Sequence, residues 1–302
     1  MIGCDCNAGL SNTGRPNCVP VQGITSSLIL VPITANDGTK NFIDLSAPVP
    51  TWADLVNEPD ASKRWFPLPQ FENVELAKAD SLFEEANSGR MAFLRQGKRS
   101  FAGELWSEDS TPTFLGKLQA SRCVDFGIYI VDVDGNLIGS QVDGGLYPIP
   151  VDNPSWDPKF MFATDSTVQK IMLGFDFNRL FDESTMYMIT VAEAGLDFTT
   201  LEGLIDVVLT TTTCTASVWT LDAKMEYGTA YNKLLYKGAG LPADWVLTNV
   251  DLGATVAIDL VTENPDGTYA IDYTTAGLGA GVNLKIEVAR VGYIGELSDV
   301  TV

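Results

Sequence analysis

The chain has 302 residues and carries 39 acidic against 19 basic side chains, for a net charge of −20, and it has no histidine. That balance argues against wrapping of nucleic acid, which needs lysine and arginine on the phosphates, and the missing imidazole removes Ser-His-Asp and Cys-His catalytic schemes. A hydrophobic content of 45% is enough for real cores, the length predicts two domains at about 150 residues each, and no window approaches the roughly 20 unbroken apolar residues of a membrane span.

Residues 1–23 are polar and rich in Gly, Asn and Pro, which predicts an extended arm without structure of its own. The first ten residues, MIGCDCNAGL, lack the basic region and apolar block of a secretory signal, so the expectation is a cytoplasmic origin. Ser27 to Ile33 reads as an apolar strand, Asp37-Gly38 as a turn, and Lys40 to Leu45 as a second strand. Ser46 to Pro69 is a long segment punctuated by Pro48, Pro50, Pro59, Pro67 and Pro69. A helical turn fits Pro50 to Leu55. Long ordered loops in compact domains are usually functional. Trp52, Trp65 and Phe66 therefore have two readings: docking against another subunit, or pinning the loop to its own domain.

Phe71 to Ala79 fits a strand and Asp80 to Asn87 a polar connection ending at Asn87-Ser88-Gly89. Arg90 to Trp106 is strand-like but interrupted by Gly97 and Gly103. Glycine inside a strand marks a bulge, a bend or close backbone approach, so two halves meeting near Gln96–Lys98 or one long kinked strand both fit. Then the period changes. Ser110-Thr111-Pro112-Thr113 supplies a capping hydroxyl and an early proline, and Phe114, Leu115, Leu118 and Cys123 share one face. A helix of about three turns over 111–123 follows, its stripe covered by a sheet. Asp125 to Gly139 returns to strand, with Asp134-Gly135 as a hairpin turn. An edge-like segment from Leu146 to Val151 comes next, then strands at Lys159 to Ala163, Gln169 to Phe177 and Thr185 to Ala192, with a short helix over 178–184.

Residues 204–302 are short apolar strands with regular turns. The strands are placed at Ile205–Thr211, Ala216–Leu221, Trp245–Val250, Thr255–Leu260, Tyr269–Tyr273 and Val282–Val291. About a hundred residues of this kind predict an immunoglobulin-like sandwich, here without the Cys…Trp…Cys pairing of antibody domains. The predicted class is thus mainly β: an arm over 1–23, a β sandwich or barrel with one flanking helix over 24–200, and the immunoglobulin-like domain over 204–302.

No motif announces a reaction. Asp132-x-Asp134-Gly135-Asn136 shares the opening spacing of a calcium loop, but strands flank it and a plain hairpin turn explains it. Gly277-Leu-Gly-Ala-Gly281 does not fit G-x-G-x-x-G. Cys4, Cys6, Cys18, Cys123 and Cys214 lack zinc-site spacing and read as thiols in a reduced compartment. No catalytic, cofactor-binding or metal site is assigned. Arg95, Lys98 and Arg99 form a basic patch whose expected role is pairing with acids, within the fold or across subunits. The dispersed acidity serves solubility or keeps the surface off DNA.

Arg90–Trp106, Thr111–Cys123 and Phe126–Ile138 as strand, helix and strand, with Ile171–Phe177 and Met186–Val191 as later strands, together resemble the tail tube proteins of long-tailed bacteriophages. The resemblance covers about two thirds of the chain and is architectural. It implies a virion protein made in the host cytoplasm. Such a protein forms rings, commonly hexameric, whose sheets join into an inner barrel, and the rings stack into a tube for DNA passage. It further implies that the helix lies outside the sheet, and that the arm and long loop reach neighbouring rings. Other tail proteins would be partners, and the C-terminal domain would make weak contact with host surface or glycans. DNA would slide past lumenal carboxylates without specific binding. Trp52, Trp65, Phe66, Arg95, Lys98 and Arg99 are then the candidate subunit-contact residues. Two alternatives stay open: a capsid decoration or head-fibre protein, and a carbohydrate-binding β-sandwich protein.

Overall fold

The computed structural model describes residues 14, 21–47, 51–106, 110–229 and 231–302. Among the described residues strands account for 47% and helix for 13%, with a single helix of seven or more residues, so the class is mainly β. The arm predicted over 1–23 lies outside the described residues except at 14 and 21–23.

The first sheet runs in the order Ile43–Asp44, Gly145–Tyr147, Leu137–Val142, Phe126–Asp132, Thr25–Pro32, Phe66–Pro67. Met186–Ile189 pairs with Leu137–Val142. The strand Phe126–Asp132 is buried along its whole length, and Thr25–Pro32 is buried beyond its first residue. A strand covered on both faces reads as an unbroken apolar run, which is how both appear in the sequence. Leu28, Leu30, Ile128 and Ile130 face the second sheet. Ile29, Val31, Tyr129 and Val131 face the other way, into a separate core with Val56, Trp65, Ala194 and Phe198. The described part of the proline-rich segment from Thr51 onward, with its short helix Trp52–Asn57, is therefore the lid on that second core, through Val56 and Trp65.

The second sheet runs Asp157–Met161, Lys170–Asp176, Arg99–Trp106, Glu72–Lys78, antiparallel throughout. Phe101, Leu105, Ile171, Leu173 and Phe175 point into the shared core, where the Phe101 and Phe175 rings stack at 5.0 Å. The predicted helix spans Pro112–Ala120, and the Thr111 hydroxyl accepts the Phe114 amide at 3.2 Å. Leu118 is buried, and its carbonyl accepts the Trp156 indole N–H at 2.7 Å. Cys123 is exposed rather than on the apolar stripe. The chain tightens to 3₁₀ over Ser121–Cys123, which breaks the 3.6-residue phase.

Two expectations need correction here. The helix placed over 178–184 is only a 3₁₀ turn at Glu183–Thr185. The strand placed over Thr185 to Ala192 stops at Ile189, because Thr190 and Glu193 form a capping box that starts the helix Val191–Ala194, a start signal readable in the sequence.

The C-terminal sandwich packs Ile205–Cys214, Val218–Gly228, Thr268–Asp272 and Leu260–Glu263 against Ala254–Val256, Trp245–Asn249, Asn283–Val288 and Glu296–Thr301. Ile205 and Asp206 run parallel to Tyr293–Ile294. This is the strand order of an immunoglobulin-like domain. Trp219, Leu221, Trp245, Tyr269 and Ile286 fill its core. The strand expected over Thr255–Leu260 is broken into Ala254–Val256 and Leu260–Glu263, and the final strand, Glu296–Thr301, was not anticipated.

Candidate self-assembly surface

The segment expected to be a polar connection, Asp80 to Asn87, contains the strand Leu82–Glu85, which pairs with Met91–Arg95. The two form a hairpin separate from both sheets of the N-terminal unit. The turn closes with Ala86 N–H to Arg90 carbonyl at 2.9 Å and Gly89 at a φ of 76°, a left-handed conformation that favours glycine. Glu84 and Glu85 hid the strand, since only Leu82 and Phe83 look apolar. Arg90 to Trp106 is thus two strands, Met91–Arg95 and Arg99–Trp106, parted at Gln96–Lys98. Gly97 is obligatory at that point: an added Cβ would sit 1.5 Å from the Ala79 carbonyl oxygen.

Every residue of both hairpin strands is exposed. Phe83 and Phe93 oppose one another, with ring centroids 5.6 Å apart edge-on, and Met91 lies on the same face. Leu94 points to the other face by strand alternation. Met91 is 63% exposed and Phe93 56%. An isolated two-stranded hairpin is marginal in water, and one apolar on both faces calls for cover on both.

The root of the hairpin is braced. Glu183 accepts Arg99 at 2.9 Å and Lys78 at 2.7 Å, and Lys98 pairs with Asp176 at 2.5 Å. Hydrogen bonding from Arg99, outweighing burial, holds the Glu183 carboxyl below the usual carboxylate range. Two of the three basic-patch residues, Lys98 and Arg99, therefore pair within the chain, while Arg95 sits on the exposed hairpin. Trp65 is corrected as a subunit-contact residue: it is 4% exposed and stacks on Tyr129 at 4.9 Å, because the first sheet needs a cover on its second face. Phe66 is exposed on an edge strand, with the Arg64 guanidinium 6.0 Å from its ring centre. Trp52 opens the helix Trp52–Asn57, and its side chain lies outside the described parts of the structure.

At the opposite end of the second sheet, Trp106, Lys170 and Met161 line up across three strands. Trp106, Met161, Phe162 and Val168 are all exposed there. Between the two ends lies a shallow groove of about 480 Å³, floored by Ala102, Gly174 and Met172. Of the carboxylates on its rim, Glu104 takes hydrogen bonds from Lys170, Asn73 and Trp106, and Asp157 pairs with Lys159 and Arg122.

The Asp132 loop is a turn. Asp132 is fully buried; its carboxylate accepts the backbone N–H groups of Gly23, Asp134 and Asn136 and the Asn136 side-chain amide. Burial opposes ionisation, but these bonds win and its pKa lies below the usual value. Among the described residues no group of three or more His, Cys, Asp or Glu side chains could hold a metal ion, and no helix is long and apolar enough to cross a membrane. No family model and no curated protein matches the chain.

Proposed function

We propose that this chain is a structural virion protein that polymerises as stacked rings to form a phage tail tube, a channel for DNA passage. The observation that carries the reading is the projecting hairpin, apolar on both faces and braced by Lys78, Arg99 and Glu183 at its root. A ribbon of this kind becomes stable when another surface covers it, and a chain that repeats such a contact builds an assembly. The acidic balance of −20 fits a conduit whose walls repel phosphate. The C-terminal sandwich would then stand on the exterior of the tube.

Sedimentation velocity over a concentration series tests this. The intact chain is expected to form species that grow with concentration, and the double variant Phe83→Asp, Phe93→Asp to remain small with an unchanged near-ultraviolet circular dichroism spectrum. A double variant that polymerises like the unaltered chain would remove the hairpin from the account.

A further inference from the structure

We infer that the hairpin of one copy seats on the apolar end of the second sheet of the next copy, against Trp106, Met161, Phe162 and Val168. This rests on the polymerising role proposed above and names the partner surface within it. The hairpin leaves the second sheet beside Lys78 and Arg99, whereas the patch lies at the far end of the same strands, beyond Leu105 and Ile171. The strand Arg99–Trp106 has 8 residues, which at about 3.3 Å per residue separates the two ends by roughly 23 Å. Two complementary surfaces at opposite ends of one sheet make a heterologous contact. Such a contact repeats from copy to copy and does not close on itself as a two-fold dimer.

Charge complementarity favours a second copy as the occupant and one orientation of it. The hairpin is a dipolar ribbon: Glu84 and Glu85 lie on one strand, and Arg90 and Arg95 flank the other. The receiving end is divided the same way. Lys159 and Lys170 lie on the strands Asp157–Met161 and Lys170–Asp176, and Glu72 and Glu104 on the strands Glu72–Lys78 and Arg99–Trp106. Lys170 is already paired with Glu104 at 2.6 Å and Lys159 with Asp157 at 2.5 Å, so this end presents oriented ion pairs rather than free charges. Laying the acidic hairpin strand on the lysine side of the Lys170–Glu104 pair and the basic one on its glutamate side sets the two dipoles head to tail, and the reverse placement opposes like poles. Such pairing adds specificity and register more than affinity, while Phe83, Phe93 and Met91 supply the apolar contact.

The test uses the full-length chain and two exposed positions. Phe93→Asp disables the hairpin and leaves the patch intact; Phe162→Asp does the reverse, with Met161→Asp as a second patch variant. Each alone is expected to stop at a single unit, whether one ring or one chain. An equimolar mixture of Phe93→Asp and Phe162→Asp is expected to give a species of twice that mass that grows no further, because one good hairpin then meets one good patch. Patch variants that polymerise like the unaltered chain, while Phe93→Asp does not, would overturn the assignment and leave the polymerising hairpin standing. An unaltered chain that never polymerises would overturn both.

Discussion

Asp132 has no solvent exposure, yet its carboxylate is ionised and fully engaged by Gly23, Asp134 and Asn136. Asp132→Asn puts an amide donor where donors already point, and a loss of about 2–3 kcal/mol in urea unfolding is expected. Because the folded pKa is depressed, this stabilisation is present above the ordinary aspartate value near ~3.9. It is lost as pH falls through the folded value, so the variant and the unaltered chain should converge in acid. Gly97 shows a steric constraint of the same scale. Gly97→Ala must push the root apart, and faster amide exchange at Ala79, whose N–H bonds the Lys98 carbonyl at 2.8 Å, would report it, at a cost of about 1–3 kcal/mol. Both positions stood out in the sequence, Asp132 by its turn chemistry and Gly97 as a glycine within a strand pattern. Trp65 could not be placed that way, since a tryptophan in a loop looks the same whether it covers its own sheet or a neighbour's.

At the scale of elements, local signals with one physical meaning carried through: the Thr111 cap, the apolar runs of the central strands, the Asp134-Gly135 turn. What the sequence hid depended on tertiary pairing. Leu82–Glu85 alternates too little to read as a strand and exists because Met91–Arg95 folds back on it. The second face of the first sheet is invisible in composition, so the role of the proline-rich lid was legible only once both faces were seen to be buried. The helix Pro112–Ala120 also meets the C-terminal sandwich. Lys117 binds Asp206 and, at 2.9 Å, Glu226, and its ammonium lies 5.2 Å from the Tyr227 ring centre. Leu204 packs on the N-terminal core immediately before Ile205 begins the sandwich. Lys117→Met should therefore cost little, about 1 kcal/mol or less for partners this exposed. The difference should fade in 1 M salt, where the screening length is about 3 Å; urea unfolding at two ionic strengths reads it.

For the whole molecule, the two-sided apolar hairpin and the patch at the other end of its sheet make little sense on an isolated chain and fit one that adds to copies of itself. Negative-stain electron microscopy of the concentrated, full-length protein tests that claim most directly. The account predicts stacked rings or tubes with a central channel, longer at higher concentration. Single particles of one chain at every concentration would contradict it.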